Sequence, residues 1–575
     1  MKLNYKRTLL VGFAFFLISA FWQAYDTIIP LMLTNRFGLD QTWSGVIMSL
    51  DNILALFMLP LFGALSDKKD TRFGKRTPFI VIGAIAAIVC FVGLTFADNA
   101  QLNKVLESTR ETYWEQNHVV ENREYNSITN KDVEKTYTVR DYAARVYFGK
   151  NVPYDQLTPA EQQQLEEWYK NNEALTFETE YHYVKDSDTY VLVKEDTKLP
   201  DGARTSKAYS ALVSDAISQY AKSATQASWW VLAIFIAVLL MTLISMATFR
   251  SPAVALMPDV TVKPLRSKGN AIINLMGTAG GILVLLLGMI FKTSALENQM
   301  KSYTWFVVAV CGIMLAALIV FIFTVKEKKW NAEMLEKQAE LDAEEAAQIN
   351  SADEQTTATT AEVEAPAKEK LPKGKFVSLL LILASVALWF TGYNAITSKY
   401  SVYATNVLNQ NYNTTLLIAQ AAAVISYIPV GMIASKIGRK KTILIGVGLL
   451  TVAFGGAIFI NASIPGWIMY ILFALAGIAW ATINVNSFPM VVELAKGSTI
   501  GKYTGYYYTA SMAAQVITPI LSGALMDAFG TMSVLFPYAT IFVAMSFVTM
   551  LFVKHGDSKP EKPQDKMEML AGADD

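Results

Sequence analysis

The chain has 575 residues, 53% of them hydrophobic, with 49 basic and 49 acidic side chains that cancel. That apolar share, with a positive mean hydropathy, excludes an ordinary soluble protein. The charges lie in loops and the apolar residues in runs, so no basic face for nucleic acid exists. Three histidines (His118, His182, His555) lie outside the apolar runs, and two cysteines (Cys90, Cys311) lie inside them. Neither set has metal-ligand or disulfide spacing, and no nucleophile–base pair stands out. The expectation is no metal, no cofactor and no enzyme.

Span 1 runs from about Thr8 to Leu33 behind Lys2, Lys6 and Arg7, which places the N-terminus in the cytoplasm. It is too long for a signal-peptide core and has no small-residue cleavage site, so it reads as a retained helix. Span 2 (Trp43–Leu65) carries Asp51 and Asn52, and span 3 covers Thr77–Ala97. Both are close to the ~20 residues that cross a bilayer as a helix. Between them Lys68, Lys69, Arg72, Lys75 and Arg76 hold a short loop on the cytoplasmic side.

Asp98–Ser228 reads as a small α+β insert on the outer side, mildly acidic. Thr158 as N-cap, Pro159 and Glu161 predict a helix to about Asn171. Thr176–Tyr183 and Thr189–Lys194, separated by Asp186–Asp188, predict a hairpin. The insert either lies over an outer mouth or is an addition tolerated at a loop tip.

Span 4 covers about Trp229–Phe249 and ends in the segment Arg250–Asp259. Span 5 begins after Arg266 and Lys268, and its Gly269, Ala271, Gly277, Gly280 and Gly281 suit close helix packing. Span 6 is about Tyr303–Thr324. Lys326–Lys375 then forms an inner linker: a charged amphipathic helix over Lys326–Glu345, followed by a Thr/Ala/Glu/Pro-rich tether, Ser351–Lys370. Spans 7 to 12 fall at about 376–398, 413–434, 442–460, 466–491, 500–526 and 533–553. Loops of this half alternate between none and several basic residues, the basic ones carrying Lys436, Arg439, Lys440, Lys441, Lys496 and Lys502. The expected organisation is therefore 1–97 and 229–325 for one half, 98–228 insert, 326–375 linker, 376–553 for the other half and a 554–575 tail. Both termini are expected in the cytoplasm of a cell with this chain in its plasma membrane.

The loop after span 2 recurs. Gly431, which opens the stretch to Gly438-Arg439-Lys440-Lys441, lies 368 positions after Gly63, and the same offset carries Tyr25-Asp26 onto Tyr393-Asn394. Each of those pairs follows a tryptophan, Trp22 or Trp389. Two features sharing one offset argue for a duplicated unit of parallel halves.

Gly63-x-x-x-Asp67 followed by Gly74-Lys75-Arg76 resembles the loop signature of the major facilitator superfamily. Ser66-Asp67-x-x-x-x-Arg72-Phe73-Gly74-Lys75-Arg76-x-Pro78-Phe79-Ile80 is similar to the loop of its glycoside–pentoside–hexuronide:cation symporters, in the sucrose- and maltose-type proton branch. Pro252-Ala-x-Ala255-Leu256-x-x-Asp259, then Asn270-Ala271, resembles a second segment of that branch. The resemblance implies an all-α membrane protein of twelve transmembrane helices in two pseudo-symmetric six-helix halves, with the insert between spans 3 and 4. It also implies a monomer that imports a disaccharide or small oligosaccharide by alternating access. Protons rather than sodium are implied, because Ala55 and Leu59 stand where sodium-coupled members carry carboxylates. Leu243 and Val254 also depart from the pattern, so the coupling residues have to come from this chain itself. The rivals are a facilitator or exporter of another small polar solute and a transporter-like sensor.

A carboxylate inside a span costs ~2.5 kcal/mol or more unless it faces a cavity or a partner, which singles out Asp26 and, nearer the outer side, Asp51 as candidates for proton coupling. A structural aspartate bonded to neighbouring helices is the competing reading. Sugar rings need flat apolar faces and amides, so Trp22, Gln23, Tyr25 and Asp26 on span 1, Tyr393 and Asn394 on span 7, Trp480, Asn484 and Asn486 on span 10, and Gln515 on span 11 are the candidate contacts. Asp67, Arg72, Arg76, Asp259, Arg439 and Glu493 form a candidate cytoplasmic gate, with topology-setting charge as the plain alternative. Arg250 is read either as snorkelling or pairing with Asp259 or as part of the cavity.

Overall fold

The computed structural model describes residues 3–116, 118–126, 131–138, 148, 154–171, 182–184, 189–191, 221–262, 265–295, 301–353, 372–461, 464–494 and 500–555. Eleven helices among these residues are long and apolar enough to cross a membrane, and a further apolar helix, Tyr412–Ile437, completes twelve. The chain is a multi-pass membrane protein. Span 1 is Tyr5–Leu31, span 2 Gln41–Lys68, span 3 Thr77–Gln116, span 4 Trp229–Val260, span 5 Arg266–Ile290 and span 6 Thr304–Thr324. Span 7 is Lys373–Asn406, span 8 Tyr412–Ile437, span 9 Arg439–Ala457, span 10 Trp467–Val492, span 11 Ile500–Phe529 and span 12 Leu535–Leu551. Residues 69–76 and Gly438 turn the chain at one face, called here the basic face. The insert departs from the opposite, insert face.

Each half has its own core. One is built around Phe21, Tyr25, Phe91, Phe235 and Phe249, the other around Trp389, Tyr400, Val447, Phe454 and Phe536. The pairing of spans repeats between halves. Span 1 packs on 5 and 6, span 3 on 4 and 6, and span 2 on 4; span 7 packs on 11 and 12, span 9 on 10 and 12, and span 8 on 10. Adding six to each number converts one set into the other, as the shared sequence offset predicts. The halves meet where span 2 packs on 11, span 5 on 8, and span 1 on 7.

The small residues of span 5 do bring it close to span 1. A Cβ on Gly280 would stand 2.6 Å from the Phe16 carbonyl oxygen, so only glycine fits at that crossing.

Two departures from the sequence reading concern the insert. Span 3 continues as helix past Asp98 to Gln116, and Asp98 is fully buried rather than at an outer boundary. Val105 packs on Ala221 and Ala224 of the helical turn preceding span 4, so the insert stands on a two-helix stem. Within it, a helix runs Pro159–Asn171 as predicted, closed by a reciprocal cap. The Thr158 hydroxyl donates to the Glu161 carboxylate at 2.8 Å, and Glu161 N–H donates back to Thr158 Oγ1 at 3.4 Å. His182–Val184 pairs antiparallel with Thr189–Val191 inside the predicted hairpin; its turn and outer ends lie outside the described residues. A second antiparallel ladder, His118–Asn126 with Lys131–Thr138, has no counterpart in the sequence reading, because its charged strands alternate too weakly to show.

The linker helix runs Glu327–Asp353 and docks on the first half. Trp330 is buried in that half's core beneath the Arg7 guanidinium, which also pairs with Glu333 at 2.5 Å and holds that carboxyl below its ordinary range. The predicted tether, beyond Asp353, lies outside the described residues. Replacing Gly280 by Leu should cost about 2 kcal/mol of stability through overpacking. It is expected to lower the thermal unfolding midpoint of the detergent-purified protein; an unchanged midpoint would show that spans 1 and 5 can separate freely.

Candidate functional site

Between the halves lies a cavity of about 680 Å³, lined from spans 1, 4, 5 and 7 to 11. Span 1 contributes Trp22, Gln23 and Asp26, which recur on one face because helical neighbours three and four apart stack. Spans 7 and 10 contribute Tyr393 and Trp480, whose rings stack at 3.8 Å with planes 12° apart. The cavity is open toward the basic face: Val254 and Tyr508 line it there and are 50% and 43% exposed.

Toward the insert face the halves are tied together. Gln420 Nε2 of span 8 donates to Gln23 Oε1 at 2.5 Å across the cavity. Beyond it, Tyr412 Oη and Asn413 Nδ2 both donate to Thr293 Oγ1, at 2.7 and 3.0 Å, and Asn406 Nδ2 donates to Asn35 Oδ1 at 2.9 Å.

The structure thus brings together Trp22, Gln23, Asp26, Tyr393 and Trp480 among the sequence candidates. Tyr25 faces away, fully buried and stacked on Phe21, since a helix turns about 100° per residue. Asn394, Asn484 and Gln515 do not line the cavity, and Asn486 is buried with its amide donated to the Thr482 carbonyl at 3.0 Å. Asp51 stands behind the wall, its carboxylate accepting from the Asn52 backbone and side-chain amides at 2.6 and 2.7 Å. It remains within electrostatic reach of Asp26 and of Arg250. Arg250 does line the cavity, its guanidinium 5.5 Å from the Trp22 ring, so it belongs with Asp26 rather than with Asp259.

Several lining residues are not among the candidate contacts drawn from the sequence. Asn270 and Asn274 present amides four residues apart on one face of span 5, a spacing that alone could have flagged them. Gln420 is the repeat mate of Asn52 at the offset of 368, a signal that was also present. Four buried polar atoms on lining residues have no protein partner among the described residues: Trp22 Nε1, Asn274 Nδ2, Ser401 Oγ and Gln420 Oε1. Donors and acceptors are therefore both available, beside a flat aromatic stack.

The charged residues of the basic face form two local clusters, one in each half. Arg76 donates through Nε to Asp259 at 2.8 Å and through Nη1 to Ser66 at 2.5 Å, and Nη2 pairs with Asp67. Burial opposes the Arg76 charge, but Asp259 and Asp67 outweigh it and hold this guanidinium above its ordinary value. In the other half Arg439, opening span 9, pairs with Glu493 at the end of span 10. Arg72 takes no part; it lies exposed over the Phe73 ring.

The first cluster depends on a residue that nothing in the sequence reading singled out. Glu327 of the linker helix accepts from the backbone N–H groups of Lys75, Arg76 and Thr77 at 2.6, 2.8 and 2.7 Å, and from Thr77 Oγ1 at 2.7 Å. It supplies the N-terminal cap of span 3 from a distant part of the chain. Gly74 makes room for it: φ is +119°, and a Cβ there would stand 2.3 Å from Glu327 Cδ. Glu327→Ala should leave those N–H groups unpartnered and cost about 1–3 kcal/mol. A lower unfolding midpoint in the purified protein is the expected readout, and an unshifted one would mean water replaces the carboxylate without loss.

A sequence profile described as Major Facilitator Superfamily matches residues 211–485 and 412–571, together more than half of the chain, and one described as MFS/sugar transport protein matches residues 10–105. A sucrose transport protein of Arabidopsis thaliana is 38% identical over 52 residues, 9% of this chain and 10% of that one. A proton-associated sugar transporter of Mus musculus is 34% identical over 89 residues, 14% of this chain and 11% of that one. The chain spans no more than about a fifth of the length of the curated relatives it matches. Among solved structures, the xylose transporter of E. coli in its inward open conformation superposes with a TM-score of 0.54 at 12% identity, covering 97% of this chain and 98% of that one, a likeness of fold.

Proposed function

This chain belongs to the major facilitator superfamily, and from that premise we propose that it is a proton-coupled symporter importing a glycoside, a disaccharide or small oligosaccharide, by alternating access. The observation that carries this reading is the cavity wall: unpartnered donors and acceptors on Trp22, Asn274, Ser401 and Gln420 line the same cavity as the Tyr393–Trp480 stack. Hydroxyl groups both donate and accept, and the flat face of a pyranose ring suits an aromatic surface. The printed names of the relatives, sucrose transport, proton-associated sugar transport and a putative glycoside/cation symporter, support the same substrate class.

Asp26 is the proton carrier in this reading, with Asp51 behind it as the second carboxylate and Arg250 as their counter-charge. When Asp26 is neutral, Arg250 balances Asp51 alone; when it ionises, the cavity gains a negative charge beside the sugar site. Coupling follows if the loaded carrier changes conformation only with Asp26 protonated and sugar bound. The Asp67–Arg76–Asp259 and Arg439–Glu493 clusters are the two sides of a gate that come together when the cavity turns to the other face. The basic face is assigned to the cytoplasm of the plasma membrane by the density of Lys and Arg in its short loops. The functional unit is taken as one chain, because one chain supplies both halves of the cavity.

Uptake of radiolabelled sucrose and maltose into vesicles, with and without an imposed pH gradient, tests the proposal; no gradient-stimulated uptake of any disaccharide would refute it. Asp26→Asn is expected to reduce concentrative uptake to the equilibrium level while sugar exchange persists. Concentrative uptake at the unsubstituted rate would remove Asp26 from the coupling step.

A further inference from the structure

The insert-face end of the interface holds charged groups that the cavity does not use. Asp527, on the last turns of span 11, belongs to the second half. Its carboxylate accepts from Gln41 N–H at 3.0 Å, from Thr42 N–H at 2.7 Å and from Thr42 Oγ1 at 2.5 Å, all at the first turn of span 2 in the first half. A helix N-terminus carries unsatisfied N–H groups and partial positive charge, so a carboxylate from another helix caps it favourably. Span 2 already has its own N-cap, Asp40, whose carboxylate accepts from Trp43 N–H at 2.8 Å. Asp527 therefore takes the donors that the local cap leaves over.

The second group is Lys399 on span 7. It is fully buried within an apolar span, and its Nζ donates to the Gln41 carbonyl oxygen at 2.6 Å. No carboxylate lies within ion-pair distance of it among the described residues, and the nearest compensating charges are Asp527 and Asp40. An ammonium buried in a span is costly unless it has such a role. Gln41 is thus held through its N–H by one helix of the opposite half and through its carbonyl by another.

Close approach of the backbones makes this possible. A Cβ on Gly45 would stand 2.0 Å from the Pro519 carbonyl oxygen, and a Cβ on Gly523 would stand 2.2 Å from the Gln41 carbonyl oxygen. One turn further in, Ser49 Oγ donates to the Val516 carbonyl at 2.9 Å.

We propose that Asp527 and Lys399 act as gate residues: together they clasp the first turn of span 2 and hold the insert face closed, and their release from Gln41 and Thr42 opens the cavity there. The inference rests on alternating access as read above, and it adds which contacts set the balance between the two openings. Parting spans 2 and 11 exchanges the clasp for water on both sides. The closed state therefore loses a charge-assisted advantage when either residue is neutralised.

Ser401, which is buried, lines the cavity and lies two residues beyond Lys399 on span 7, serves as the reporter. Ser401→Cys is placed in a Cys90→Ala, Cys311→Ala background of the full chain. A membrane-impermeant maleimide is then applied to right-side-out and to inside-out vesicles in the absence of sugar. Asp527→Asn and Lys399→Met are each expected to raise labelling from the insert face roughly tenfold, the size of one charged hydrogen bond, and Asp527→Glu to restore slow labelling. Thr42→Val removes one donor and leaves both charges, and an intermediate rise of about threefold is expected. It keeps the proposal testable if Lys399→Met does not fold. Insert-face labelling within twofold of the parent in both Asp527→Asn and Thr42→Val would overturn the clasp. Because labelling needs no sugar, a parent protein that transports no disaccharide would overturn the substrate reading and leave this result interpretable.

Discussion

The bilayer offers no hydrogen-bond partners, and that single fact organises this molecule. Every buried polar group must find its partner in the protein or face water in a cleft. The chain builds two apolar cores, one per half, and leaves the polar residues of spans 1, 4, 5, 7, 8 and 10 at the seam between them. The cavity is not carved into a core. It is the part of the seam that the two cores do not share.

Because the cores are separate, the contacts along the seam can be made and broken without unfolding either half. Those contacts are distributed unevenly. Near the insert face they include Thr293 with Tyr412 and Asn413, and Asn35 with Asn406. At the basic face the charged residues are satisfied inside each half, Arg76 by Asp259 and Asp67, Arg439 by Glu493. Arginines with partners at home incur little desolvation penalty when the halves part, so the cavity opens on that side.

The linker helix is built into the first half. By capping span 3 with Glu327 and burying Trp330 in the first core, it becomes part of that half rather than a strap between the two. Gly74 belongs to the loop signature for a physical reason visible only here: its positive φ and missing side chain admit a carboxylate from 253 positions later in the chain. A motif read as a turn between helices is also a docking site.

Hydropathy, loop charge and a repeated offset were enough to place the spans, their alternation and the duplication, because each depends on how a segment meets lipid or water, a local property. The same logic found Asp26 and its aromatic and amide neighbours, since polar residues in an apolar run have to be accounted for. It could not separate Tyr25 from Asp26, or decide between the readings of Arg250, because facing a cavity depends on the rotation of each helix against neighbours far away in sequence. Nor could it see Lys399 reaching Gln41, or Glu327 reaching the start of span 3. Those contacts are decided by where the two halves come to rest, and that position exists only once all twelve helices are packed.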